Sequence, residues 1–300
     1  MRSRTHRDTA LSRAVAAVAE RLEPRRLLSG FLTPTATIPV GADPSSIAIS
    51  ELDSPFFVAA NRGDGTVSVH FFGSEGAIGP VDDYAVGDGP SAVALANFNN
   101  PNGSIEPDIA VANYNDGTVS ILYNNGSGTN FTAGQVLPVG DGPDAIATGN
   151  LDTTLFRYTD IVTANRLDGT VSVLLRGRGG VFLPTVETYQ VGNQPDAVAV
   201  GDLNGDGIPD IVTANYADGT VSVLYGEGTG AFAPAETFSV GPHPTSVALA
   251  NFDAPYNAVV PGVVWQVTDF VDIVTSNAGD NTVSILSNQG SSQGHRIFTG

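Results

Sequence analysis

The sequence predicts an all-β fold, a β-propeller of four-stranded blades. Three observations carry that expectation. One string recurs five times at near-constant spacing, each copy divides into short strand-like segments, and a sheet of that size cannot bury its own apolar face. The string is Asp-Gly-Thr-Val-Ser followed by Val or Ile. It begins at Asp64, Asp116, Asp168 and Asp218, and returns as Asp-Asn-Thr-Val-Ser-Ile at Asp280. The steps are 52, 52, 50 and 62 residues, blade-sized intervals. Ahead of each copy stands an Asn (Asn61, Asn113, Asn165, Asn215, Asn277). Further ahead comes Val-Gly-x-x-Pro, with its prolines at Pro44, Pro90, Pro143, Pro195 and Pro244.

The fourth repeat shows the elements in order. Strands are expected near Ala197–Gly201, Asp210–Ala214, Thr220–Tyr225 and Phe232–Val240. Between the second and third, Asp-Gly supplies the positive φ of a tight hairpin turn. Along the third strand Val221 and Val223 share one face, Thr220 and Ser222 the other. Neither face is charged, as expected of a small sheet packed between two similar sheets, and radial stacking meets that need. The recurring Asn and Asp-Gly positions read as turn chemistry rather than as a repeated ligand site. Five units are visible, near 31–75, 76–127, 128–180, 181–231 and 232–288. Phe31–Val40 and Gly294–Gly300 both resemble the missing fourth strand of the fifth unit, so part of a six- or seven-bladed propeller is the alternative.

Composition agrees. Glycine (35) and proline (19) are abundant, which suits many short strands joined by turns. With no cysteine, disulfides, thiolate metal sites and a cysteine nucleophile are excluded. The net charge of −18 is unevenly spread. Residues 1–30 hold seven arginines against Asp8, Glu20 and Glu23, a net +4, so the remainder carries −22. A body this acidic repels phosphate backbones, and nucleic acid is not an expected partner. No apolar run is long enough to span a bilayer.

Residues 1–30 stand outside the fold. Residues 9–23 read as a basic, alanine-rich helix ended by Pro24. Leu22-Glu23-Pro24-Arg25-Arg26-Leu27-Leu28 resembles the LEPR-x-LL motif near the N-terminus of large bacterial surface and secreted proteins. That resemblance implies export, with an extracellular or cell-surface location.

One loop carries metal chemistry. Between the first two strands of the fourth repeat lies Asp202-Leu203-Asn204-Gly205-Asp206-Gly207-Ile208-Pro209-Asp210. Oxygen donors at alternate positions of a curled loop converge, and Gly207 permits the bend. Asp202, Asn204, Asp206 and Asp210, with the carbonyl of Ile208, form an all-oxygen set suited to calcium rather than magnesium. The helix–loop–helix alternative fails because position 213 is Thr, where a bidentate Glu would be needed. The unit Val200–Phe232, with its loop, its Asp-Ile-Val-Thr-Ala-Asn and Thr-Val-Ser-Val-Leu strands and the following Gly-x-Gly-x-x-Phe, resembles FG-GAP/VCBS repeats. These are calcium-binding propeller blades of integrin α chains and bacterial extracellular proteins, and the resemblance implies calcium ligation at those five residues. The other units keep only the outer positions of the loop: Asn97, Asn99 and Asp108; Asn150, Asp152 and Asp160; Asn251, Asp253 and Asp272; Glu51 and Asp53. They are expected to be turns. Surface propellers of the YVTN type share Val-Gly-x-x-Pro and Thr-Val-Ser-Val without calcium; the intact loop favours FG-GAP.

The polar residues after each Val-Gly (Asp43, Asp88, Asp141, Asn193 and His243) should sit on connections leading toward the propeller axis, a candidate ligand-binding ring. Arg62-Gly63-Asp64 spells an integrin-recognition tripeptide but occupies a repeat hairpin, where other copies differ. The histidines show no metal-ligand spacing. These features together predict a non-catalytic, calcium-binding extracellular module. It would be a monomer or part of a larger surface protein, binding protein or polysaccharide. The alternative is a propeller-based polysaccharide lyase or hydrolase, which would need a non-repeating ionisable cluster, first sought in the insertion Asp253–Asp269.

Overall fold

A computed structural model describes residues 37–50, 55–72, 78–99, 106–125, 130–152, 159–177, 180–252, 270–288 and 298–299. The proposed helix and motif of residues 1–30, and the insertion 253–269, lie outside them. The chain divides into Met1–Pro39 and Val40–Gly300, and all twenty strands belong to the second unit.

Those strands form five antiparallel sheets of four, each in chain order. Blade 1 is β1 (Pro44–Ser50), β2 (Phe56–Asn61), β3 (Thr66–Phe72) and β4 (Ile78–Ala85). Blade 2 is β5 (Pro90–Ala96), β6 (Asp108–Asn113), β7 (Thr118–Asn124) and β8 (Phe131–Pro138). Blade 3 is β9 (Pro143–Gly149), β10 (Asp160–Asn165), β11 (Thr170–Leu174) and β12 (Glu187–Gln190). Blade 4 is β13 (Pro195–Gly201), β14 (Asp210–Asn215), β15 (Thr220–Leu224) and β16 (Glu236–Ser239). Blade 5 is β17 (Pro244–Ala250), β18 (Asp272–Asn277), β19 (Thr282–Asn288) and β20 (Phe298–Thr299).

The four strands expected of the fourth repeat do form one sheet, but the unit boundaries drawn along the sequence cut across the sheets. Boundaries near 75, 127, 180 and 231 fall between the third and fourth strands of a sheet, so each blade takes its fourth strand from the start of the following unit. Antiparallel pairing with the strand just before it decides this. Blade 5 takes its fourth strand from Phe298–Thr299 on β19. Thr37–Val40, the described part of the competing segment, is not strand.

Each repeated polar residue does one structural job. The buried Asn that ends every second strand donates from Nδ2 to a Thr and a Ser hydroxyl on the third: Asn215 to Thr220 at 3.0 Å and Ser222 at 2.9 Å, with the same pair at Asn61, Asn113, Asn165 and Asn277. The hairpin Asp reaches the connection arriving from the previous blade. Asp116, Asp168 and Asp218 accept the amide protons of Asp88, Asp141 and Asn193 at 2.7, 2.9 and 2.7 Å, and Asp64 accepts from Ala42. The hairpin position with φ of 60–68° is Gly65, Gly117, Gly169 and Gly219, and in blade 5 it is Asn281 at 62°, the residue after Gly best suited to that conformation.

The core repeats as well. Four apolar clusters each join the second and third strands of one blade to the first three strands of the next. Val212, Val221 and Val223 of blade 4, for example, pack with Val247, Leu249, Ile273 and Leu286 of blade 5. First strands lie beside first strands, β1 by β5, β5 by β9, β9 by β13 and β13 by β17. They are therefore the inner wall, and the fourth strands lie outside. No helix among the described residues is long and apolar enough to cross a membrane.

Candidate functional site

The loop 202–210 joins β13 to β14 at one end of blade 4. Asp202 accepts the amide protons of Gly205 (2.6 Å) and Gly207 (2.9 Å), Asn204 that of Asp206 (3.0 Å) and Asp206 that of Ile208 (2.8 Å). The loop is thus curled on its own amides, with Gly205 and Gly207 at φ of 69° and 81°. Asp206 is exposed, Asp202, Asn204 and Ile208 are half-buried, and Asp210 is fully buried. Asp210 accepts from Leu203 and Gly226, each at 2.9 Å. Burial, reinforced by the charges of Asp206 and Asp202, pushes its carboxyl up to about 6 against the pull of those two amides.

Asp210 has counterparts. Asp160 accepts from Leu151 (2.8 Å) and Arg176 (2.7 Å), Asp108 from Phe98 (2.7 Å) and Asn124 (2.8 Å), and Asp272 from Phe252 (2.8 Å) and Asn288 (2.7 Å). In four blades, then, one buried carboxylate ties the loop after the first strand to the end of the third. Blade 1 has Phe56 there, packed on Phe71 and Phe131. Among the described residues, blade 4 has the full set of further donors, Asp202, Asn204 and Asp206. This set, all oxygen and anionic, fits a calcium ion chemically. Among the described residues no three Asp, Glu or His side chains converge closely enough to hold a metal, because those carboxylates are turned onto backbone amides.

The opposite ends of the strands carry the second group. Asp43, Asp88, Asp141, Asn193 and His243 are all exposed there, on the connections between blades. They occupy two successive turn positions rather than one. Asp88, Asp141 and Asn193 align with Ala42 and Pro242, while Asp43 and His243 align with Gly89, Gly142 and Gln194, all with φ of 53–65°. The carbonyl at this second position accepts the amide proton of the residue after the buried Asn: Arg62, Tyr114, Arg166, Tyr216 and Ala278.

Those side chains reach across the blades. The Arg62 guanidinium lies 4.6 Å over the Tyr114 ring, and that of Arg166 lies 5.2 Å over Tyr216. Tyr216 stacks on His243 at 4.6 Å and 14°. Arg166 also bonds Asp144 at 3.5 Å and pairs with Asp196. These carboxylates follow the proline that opens each first strand, so they lie on the inner wall. In blades 1 and 2 the same position is Ser45 and Ser91, whose hydroxyls donate to the next blade's Pro90 and Pro143 carbonyls at 2.7 and 2.6 Å. An ionic link replaces a hydroxyl link where Arg166 is present. Burial raises the Asp144 carboxyl, opposed by Arg166 and Arg62.

Sequence reasoning set Arg62 aside as part of a repeat hairpin and missed Tyr114, Asp144, Arg166, Asp196 and Tyr216. Aligning the five repeats column by column exposes them. The column after Asn reads Arg, Tyr, Arg, Tyr, Ala and the column after Pro reads Ser, Ser, Asp, Asp, Thr, beside columns that scarcely change.

Residues 157–213 and 202–254 each match the model of the FG-GAP-like repeat. No curated protein sequence matches the chain. Among solved structures, a putative 6-phosphogluconolactonase from Bacteroides fragilis superposes with a TM-score of 0.58 at 16% identity, covering 86% of this chain and 69% of that one. The periplasmic gluconolactonase of Pseudomonas aeruginosa gives 0.57 at 16%, covering 86% and 70%. A protein from Lactobacillus plantarum gives 0.56 at 15%, covering 89% and 72%. At these identities the likeness is one of fold, and the propeller architecture stands.

Proposed function

We propose that this chain is a non-catalytic extracellular binding propeller that recognises polysaccharide or protein at its inter-blade rim, with one calcium-binding loop in blade 4. The observation that carries the reading is the concentration of non-repeating chemistry at one end. Arg62, Tyr114, Arg166, Tyr216, His243, Asp144 and Asp196 form linked stacks and ion pairs there, on a frame that is otherwise monotonous. Carboxylates beside a guanidinium offer acceptors and donors to the vicinal hydroxyls of a sugar, and ring edges offer apolar contact. The FG-GAP-like match supports an extracellular binding role. The donor set of Asp202, Asn204, Asp206, Asp210 and the Ile208 carbonyl supports calcium, which when bound would neutralise the loop's carboxylates and stiffen the outer end of blade 4.

Glycan-array binding of the wild type and of Arg166→Met, each with and without calcium, tests both parts. Binding lost in Arg166→Met while the fold persists supports the rim. Equal binding by both proteins removes it. For the loop, a calcium-dependent rise in melting temperature that disappears in Asp206→Ala is expected, and a rise that survives the substitution rejects the assignment. A second reading, a carbohydrate-active enzyme, draws on Asp144 and Asp196 flanking Arg166 and on the lactonase names of two fold neighbours. Turnover of a sugar lactone or polysaccharide, abolished by Asp196→Asn, would favour it.

A further inference from the structure

Among the described residues the blade-to-blade interface occurs four times, and each of its two halves is left once without a partner. One half is made by the third-strand pair Val-Ser-Val/Ile. Val119 and Ile121, Val171 and Val173, and Val221 and Val223 are at most 1% exposed, each pair covered by the next blade. In blade 5 the same positions are Val283 and Ile285, 63% and 50% exposed. The other half is made by the apolar residues of the first strand. Val93 with Leu95, Ile146, Val198 with Val200 and Val247 with Leu249 all pack against the preceding blade. In blade 1 these positions are Ile47 and Ile49, 63% and 62% exposed. Among the described residues, blade 5 does not pack on blade 1 as the other neighbours pack on each other.

We infer that a second copy of this chain docks head to tail, the exposed face of blade 5 in one copy covering the exposed face of blade 1 in the next. The two faces are unlike each other and complementary, because the chain joins those same two faces within itself between every pair of consecutive blades. Neither strand carries a protective charge: Pro44–Ser50 reads PSSIAIS and Thr282–Asn288 reads TVSILSN. In a chain of net charge −18 that omission leaves apolar strand faces unguarded. The contact is heterologous, so the pair keeps one free face of each kind and association continues beyond the dimer. Like net charges oppose the approach, so added salt strengthens it.

Sedimentation velocity of the full 300-residue chain over a concentration series tests this. Wild type should give species growing with concentration and further with salt. Ile47→Asp and Ile285→Asp should each be monomeric, because a charge placed in a dry contact weakens it by about 100-fold or more. Mixed one to one, the two variants should form a dimer and nothing larger, since each supplies the face that the other lacks. Both positions are exposed, so unchanged circular dichroism is expected for the variants, and Val283→Asp serves in place of Ile285→Asp should that variant misfold. A wild type that stays monomeric at every concentration overturns the proposal and leaves the faces to further repeats of the same kind. Variants that associate like wild type, or a mixture that stays monomeric, also overturn it.

Discussion

Asp160 gives the sharpest test of how the frame is held. Its side chain is 1% exposed, and its oxygens accept amide protons from Leu151 and Arg176. Burial is the largest influence on its carboxyl, with the charge of Asp152 adding to it, and together they outweigh the amide bonds, raising it from 3.8 to about 6. The folded protein therefore holds this proton more tightly than the unfolded chain does. The stabilisation is fully present below the unfolded value near 3.8 and is lost as pH rises through about 6. At 1.36 kcal/mol per unit, the span is worth about 3 kcal/mol. Asp160→Asn keeps the shape and removes the titration, so the difference between wild type and variant isolates this one group from the general effect of a surface rich in carboxylates. Urea denaturation of both proteins in chelator-containing buffer, from about pH 4 to pH 7.5, should show wild type losing about 2.5 kcal/mol relative to the variant, because part of the span lies below pH 4. A flat difference would refute the reasoning. A difference of opposite sign would mean that the two amide donors outweigh desolvation and that the charged form is the favoured one.

Three other outcomes follow from the same geometry. Asn215→Ala removes three side-chain hydrogen bonds, to Thr213, Thr220 and Ser222. It should cost about 3 kcal/mol, a fall of roughly 6–12 °C in melting temperature by circular dichroism; a fall of only a degree or two would show that the network is dispensable. Gly142→Ala and Gly207→Ala both place a side chain at positive φ, but the new Cβ at 142 meets the Leu167 side chain at 2.6 Å while that at 207 meets nothing within 4 Å. Both should destabilise by about 1 kcal/mol from strain, with the larger loss at 142, and the reverse order in melting temperature would contradict the packing. Arg166→Met removes the ion pair of Asp196 and leaves Asp144 only the charge of Arg62, a cost of about 1–2 kcal/mol for half-buried groups. Asp196→Asn should recover part of that loss in the double variant, and strict additivity in the cycle would deny the coupling.

How much of this was legible in the sequence follows from where each interaction is made. The hairpin Asp and Gly, the buried Asn and the Thr-Val-Ser strand were readable because four or five copies of one residue perform the same task. The four strands of a blade were readable from the fourth repeat, whereas the unit boundaries were not, since a repeat can be cut at any point of its period. The buried Asp at the start of the second strand was legible as a recurring position but not as an amide clamp: its partners lie 9 residues before and 16 after in blade 3, and both are backbone groups that no residue type announces. Arg166 meets Asp144 of its own blade 22 residues back and Asp196 of the next blade 30 residues forward, so no local spacing signals the link.

The same bookkeeping of backbone and side chain explains why variation gathers at the rim. At the position after the buried Asn, the frame uses only the main chain. The amides of Arg62, Tyr114, Arg166, Tyr216 and Ala278 donate to the carbonyls of Asp43, Gly89, Gly142, Gln194 and His243, at 2.8–2.9 Å in every blade. Five different environments are thereby closed by one bond that any residue except proline can make. The preceding Asn has no such freedom, because its side chain itself is the bond. Side chains at the rim position are thus released from structural duty five times over, and they project where consecutive blades meet. That is the place in a repeat architecture where chemistry can diverge without cost to the frame, and here it has diverged into alternating arginine and tyrosine. The position ahead of each third-strand valine shows the converse: it stays Thr in all five blades, because its hydroxyl is held by the Asn.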